Sequence, residues 1–472
     1  MTMLPQIMGM GPIGPTMHST TWLASGPEQT FHDPGFPYGE DLLQFIWAEG
    51  LFETHALRTT DRRSMEVVHP GRIQRNSGPD LEDARIRIDG QLWAGTVEVH
   101  ARSSEWNAHG HQFDPAYDSV VLHVVHEHDA EVRTSCGRLL PTLELQTRID
   151  TALLTSHGRL LRARGFVSCS GELDRIGVDQ WSRWLDRLAL ERMERRADAL
   201  RGQLRSLEGD LSSLLFHQFA RAFGLKVNAE PFGMLANAVP VRVVHRVAQD
   251  LFRTEALLFG QAGLLQVDFV DEYPRALQQE HFLLSRLHGL RPAPLASWKF
   301  GRMRPVNFPT IRIAQMAQVL VRCRGNLMDL LEGGSIESLR AVLDVTASDY
   351  WTDHFNFDRL AAPGAKRLGR NMADHLIINA IVPVLYARGR IHGERRLIDK
   401  ALDLLGSLPA ESNSLLARWA SLGVRAGNAT HGQALLELKD HYCAKRRCLN
   451  CAIGNHLLRA SVKGKGPMGP QK

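Results

Sequence analysis

The chain has 472 residues, 44% hydrophobic and 23% charged, with a net charge of +5. That balance excludes a disordered, collagen-like or disulfide-dense molecule, and no apolar run reaches the roughly 20 residues needed to cross a bilayer. Residues 1–39 hold no Lys or Arg and no continuous apolar core, so no signal peptide is expected and the cytoplasm is the expected compartment. Six cysteines in so long a chain do not make a disulfide framework.

In chain order, residues 1–39 are Gly/Pro-rich and aperiodic and read as a flexible arm. An amphipathic helix is expected from about Glu40 to Phe52, with Leu42, Leu43, Phe45, Ile46 and Trp47 on its apolar side. The period then changes. Strands are expected at Met65–Val68, Ala84–Ile88, Gln91–His100, Ser119–His126 and Thr142–Gln146. Asn76-Ser77-Gly78-Pro79-Asp80 is a dense turn signal, and Asp89-Gly90 is a two-residue hairpin turn. A mixed domain therefore occupies 40–150 and residues 151–177 read as a linker. From Val178 the pattern is helical: Trp181, Trp184, Leu185, Leu188 and Met193 fall at helical spacing within 178–204. Further helices are expected near 210–223, 233–252, 254–262, 276–288, 310–331, 335–347, 371–388, 396–405, 411–425 and 430–440. The expected fold class is α+β, a mixed-sheet domain followed by a large all-α domain over 178–460 and a tail over 461–472.

Charge divides along the same boundary. Residues 40–150 carry 19 Asp/Glu against 11 Lys/Arg and 8 of the 21 His, whereas residues 151–472 carry an excess of 15 positive charges. Carboxylates and imidazoles gathered in one region suggest a metal or acid–base site, and surplus Arg suggests a polyanion. Solvated surfaces are the plain alternative for both.

On the strand Gln91–His100, Thr96, Glu98 and His100 share one face and Val97 and Val99 the other. Glu98 and His100 are then about 6–7 Å apart near the strand end, at a rise of about 3.3 Å per residue. The Asp89-Gly90 turn folds the preceding strand back and can bring Asp80 to the same end. Two converging carboxylates suit Mg²⁺ or Mn²⁺, and His100 is placed to orient or deprotonate a water. Asp80 after Gly-Pro can instead cap a turn. Glu98 in an apolar strand needs a partner or a metal. Glu49, Glu53 and Glu66 are candidates for a third acidic contact.

Pro79-Asp80 followed by Glu98-Val99-His100 resembles the PD-(D/E)XK signature of the restriction-endonuclease-like fold, with His100 where that family has Lys. The resemblance implies a metal-dependent nuclease domain over 40–150, with Asp80, Glu98 and His100 catalytic and Asp80 and Glu98 holding the metal. Over about 40–460 the chain is also similar to the uncharacterised bacterial family DUF2851. That similarity is carried by Leu43-Gln44-Phe45-Ile46-Trp47, Ser77-Gly78-Pro79-Asp80, 93–100, Asp114-Pro115-Ala116-Tyr117, 304–309 and the cysteine segment at 443–451. It implies no activity. The expected function is a nuclease-like protein hydrolysing or binding nucleic acid, DNA before RNA. Its alternatives are an inactive nucleic-acid-binding or scaffold protein of the same fold, or a His-metal enzyme acting on a small molecule.

A second histidine group competes for metal: His109-Gly110-His111, with His123, His126 and His128. His-x-His pairs hold Zn²⁺ or Fe²⁺ through imidazole nitrogens. His123, among valines, reads as a hydrogen-bonded sheet residue, and His126 and His128 as solvent-facing. Lys299, Arg302 and Arg304 interleave with Trp298, Phe300 and Phe308 before a helix, a composition that suits a polynucleotide contact. The alternative is a Pro-rich connector pinned by its aromatics. Arg192, Arg195, Arg196, Arg201 and Arg205 form an Arg-rich helix face, read as a solvated ion-pair surface. Cys443, Cys448 and Cys451, spaced C-x₄-C-x₂-C, point to Zn²⁺ or an iron–sulfur cluster. The fourth ligand is open between Cys169, His441 and His456. A Cys169 ligand would resemble nucleases of this fold that staple their chain with such a cluster.

Overall fold

A computed structural model describes residues 36–74, 77–291 and 298–462. The expected arm and tail lie outside these residues, apart from their inner ends. Two units are present, one built on residues up to 154 and the other on 155–461.

The first unit begins with α1 (Glu40–Ala48), whose first turn carries Glu40 and Asp41 and whose Leu42, Leu43, Phe45, Ile46 and Trp47 are buried. Acidic residues at a helix start are favoured by the unpaired N–H groups there. Strands follow: β1 (Met65–His69), β2 (Arg72–Ile73), β3 (Leu81–Ile88), β4 (Gln91–Arg102), β5 (Val120–Glu127) and β6 (Thr142–Glu144). They form one sheet in the order β1-β3-β4-β5-β6, with β2 also paired to β3. β1, β3 and β4 are antiparallel neighbours, and β5 and β6 run parallel to β4 and to each other.

The Asp89-Gly90 turn closes the β3–β4 hairpin as its composition dictates, with both residues at positive φ. The parallel β4–β5 step needs a crossover, and it is made of short pieces: α2 (Glu105–Ala108) and two 3₁₀ turns at His111–Phe113 and Pro115–Ser119. Asp129 clamps its start, accepting hydrogen bonds from the Ser103 and Ser104 hydroxyls and the Ser104 N–H. Val97, Glu98, Val99 and His100 are all buried, so β4 is covered on both faces, as parallel-sheet strands are.

The segment expected as a linker is largely helical. It holds α3 (Thr151–Arg162) and a 3₁₀ turn at Ser170–Arg175, and Val167, Leu173 and Ile176 join a hydrophobic core with Trp184, Leu185 and Trp419. α4 (Val178–Ser206) opens the helical part of the second unit. The helix expected at 233–252 is broken: Leu225–Ala238, Val241–Val247 and Leu251–Gln261 are separate helices. Pro240 sits just ahead of the second, where a missing N–H costs nothing, and the Asp250 side chain caps the third. The unit is not wholly helical, because His354–Asn356 and Arg359–Leu360 form a small hairpin. The Arg-rich face of α4 is not merely solvated: Arg192 and Arg195 both bind the buried Glu437, and Arg196 donates to the Asn379 carbonyl.

Candidate metal centre

Asp80 lies where the turn meets β3, after Gly78 at φ 113, a conformation open mainly to glycine. Its carboxylate is held on both oxygens, by the Gln44 side chain at 2.8 Å and the Val99 N–H at 3.0 Å. The Asp80 N–H in turn donates to Glu98 Oε2 at 3.0 Å. Asp80 and Glu98 are therefore locked together across the β3–β4 pair.

The other Glu98 oxygen faces histidines. Oε1 is 3.4 Å from His111 Nε2 and 3.7 Å from His100 Nε2. His100 Nε2 is 3.1 Å from His109 Nδ1, and His100 Nδ1 is 2.8 Å from His123 Nε2. His100, His109 and His111 each offer one ligand atom within 4.8 Å of the others. The two histidine-bearing regions expected as rivals are one site. The crossover lays His109 and His111 over the end of β4, and the parallel register sets His123 opposite Glu98. Trp106 and Tyr117 wall it, with the Tyr117 ring stacked on His111 at 3.8 Å. His126 lies apart and is buried against Phe36, contrary to a solvent-facing position.

Burial sets the charge states. Glu98 is 5% exposed and His100 1%. Burial, aided by His123, His109 and His111, holds His100 well below the usual imidazole range. His123 is pushed down to about 3, again chiefly by burial. His100 is thus neutral at physiological pH, so it does not supply the positive charge of the lysine in the nuclease signature; a neutral imidazole offers a lone pair.

Carboxyls move the other way. Burial and then the Glu98 charge raise Asp80 to about 7. Glu40 rises to about 8 through burial and its neighbours Glu105, Asp80 and Glu98. Glu40 is the third acidic partner, rather than Glu49, Glu53 or Glu66; Glu66 instead pairs with Arg87 on the surface. The only available sequence signal was its i,i+4 spacing from Gln44 on α1, which puts both on one helix face.

The donor set tests what could sit here. The Nε2 of His111 is buried without a hydrogen-bond partner, and clustered carboxylates disfavour one another's ionisation. A divalent cation answers both. Mixed oxygen and imidazole ligands favour Mn²⁺, Fe²⁺ or Zn²⁺ over Mg²⁺, which prefers oxygen alone.

The remaining expected site residues lie in the second unit. Lys299, Arg302 and Arg304 are exposed. Their aromatic neighbours are engaged: Trp298 donates to the Ala262 carbonyl and packs on Phe232, and Phe308 packs on Phe300 and Phe355. These aromatics pin the connector and are not free to stack bases. Cys169, Cys443, Cys448 and Cys451 line one pocket.

Among known proteins, the family model described as "Protein of unknown function (DUF2851)" matches residues 40–414. No curated protein and no solved structure matches the chain.

Proposed function

Since the chain belongs to the DUF2851 family, whose description assigns no activity, we propose from the site itself that residues 40–150 form a metal-dependent phosphodiesterase acting on nucleic acid. One observation carries this reading: Glu40, Asp80 and Glu98 converge with the imidazoles of His100, His109 and His111 at the end of a carboxylate-bearing hairpin, followed by a crossover of short helical turns to a parallel strand. That order is similar to the restriction-endonuclease-like fold. Asp80, Glu98 and the three histidines would hold the metal, which when bound polarises a phosphoryl oxygen and acidifies water. Gln44 and the Val99 N–H orient Asp80. A groove of about 730 Å³ over β3 and β4 is lined by His69, Arg72, Arg85 and Thr96 together with Glu82 and Asp83, the last paired with Arg72.

The test is cleavage of single- and double-stranded DNA and RNA by purified protein with Mn²⁺, Zn²⁺, Fe²⁺ or Mg²⁺ in turn. Cleavage strongest with the first three, and lost in Asp80→Asn and Glu98→Gln, is expected. A protein that binds these polymers but cuts none under any metal is a binding module. The near-complete burial of Glu98 and His100 favours one second reading, a hydrolase of small phosphodiesters. Turnover of such esters without polymer cleavage would establish it.

A further inference from the structure

The second unit gathers four of the six cysteines from segments far apart in the chain. Cys169 follows α3, Cys443 ends a π-helical turn at Leu438–Cys443, Cys448 starts a 3₁₀ turn, and Cys451 precedes the helix Ala452–Ser461. All four are free and line one small pocket. We infer that Cys169, Cys443, Cys448 and Cys451 hold an iron–sulfur cluster.

Three independent features support the site. The pocket is built for these sulfurs: Lys439 donates to the Phe166 carbonyl, tying the strand of chain before Cys169 to the π turn. A Cβ on Gly454 would lie 2.2 Å from the Cys448 carbonyl oxygen, so only glycine lets the Cys448 turn seat on the last helix. Polar groups border the sulfurs: Ser168 and Gly454 line the same pocket. The indole N–H of Trp184, 4% exposed, has no hydrogen-bond partner among the described residues, and Trp184 shares a core with Cys451. Donors of this kind stabilise thiolates that carry a metal. Nearby cations add to this: Lys439 favours the anion at Cys443 and Arg446 at Cys448.

Four thiolates are a ligand set for an iron–sulfur cluster and also for a single tetrahedral zinc, and acid-labile sulfide separates the two.

The experiment is metal and acid-labile sulfide analysis of the full chain purified without oxygen, with a visible absorption spectrum and native mass spectrometry. Iron and sulfide in equal amounts, about two or four of each per chain, with a brown chromophore, are expected. Cys448→Ser should lose both, whereas Cys136→Ser, altering an exposed thiol of the other unit, should keep them. Should Cys448→Ser fail to fold, the native mass of the wild type still reports the cluster. Iodoacetamide should modify Cys136 in the native protein and spare the four until the cluster is removed. One zinc per chain without sulfide would overturn the cluster. Metal-free folded protein with all four thiols open to iodoacetamide would overturn the site.

Discussion

Glu98→Gln keeps the shape of a buried side chain and removes its charge. In the metal-free protein the wild-type carboxylates oppose one another. Asp80 rises from 3.8 to about 7, roughly three pH units at 1.36 kcal/mol each, or about 4 kcal/mol in all. Burial is the larger cause and persists in the variant. The Glu98 charge comes second, so its removal should recover less than half, about 1–2 kcal/mol.

The pH window follows from the direction of the shift. A carboxyl raised on folding contributes stability that is complete below its unfolded value near 4 and lost as pH rises through about 7. The variant should therefore be more stable than wild type at pH 8 in chelator and equal to it at pH 5, where Asp80 and Glu40 are protonated. His100 and His123, held neutral, make both proteins lose stability as pH falls below 6.5, and that shared trend cancels in the difference. Adding Mn²⁺ at pH 8 should reverse the order: wild type gains about 2.7 kcal/mol at a hundredfold excess over Kd, and the variant gains little. Hydrogen exchange of the β3–β4 amides reads this locally, without assuming that the whole chain unfolds in one step. A variant destabilised equally at pH 5 and pH 8 would show that Glu98 serves as a neutral hydrogen-bonding group and would refute the charged cluster.

Gln44→Leu removes the donor to Asp80 Oδ1 without touching a ligand, and should weaken Mn²⁺ binding about 10–100-fold by calorimetry; unchanged affinity would remove Gln44 from the centre. Replacing Lys299, Arg302 and Arg304 together by Ala should lower the slope of log affinity against log salt by about 2–3 for a nucleic acid. An unchanged slope would leave the segment as a pinned connector only. Gly454→Ala drives a methyl into the Cys448 backbone and should cost about 3 kcal/mol or more, measured by exchange in the helix Ala452–Ser461. Wild-type protection there would mean that the turn yields freely.

Periodicity and turn chemistry made the sheet legible from the sequence. Alternation in 91–100, the Asp89-Gly90 turn and the hydrophobic stripe of α1 are local properties, and the structure follows each. Glu98 stood out for the same reason, as a carboxylate in an apolar strand with nothing local to satisfy it. The histidine partners were visible only as residues, because what joins them to Glu98 is the path of a crossover built from short turns, and short turns have no period to read. Glu40 was hidden for a similar reason. A glutamate opening a helix is ordinarily a favourable charge at an N-terminus, and only the packing of α1 beside β4 turns it into a neighbour of Asp80. The neutrality of His100 likewise comes from burial on every side, a property of the assembled core. Local spacing gathered Cys443, Cys448 and Cys451, but Cys169 joined them through contacts between distant segments, which packing decides and sequence distance conceals.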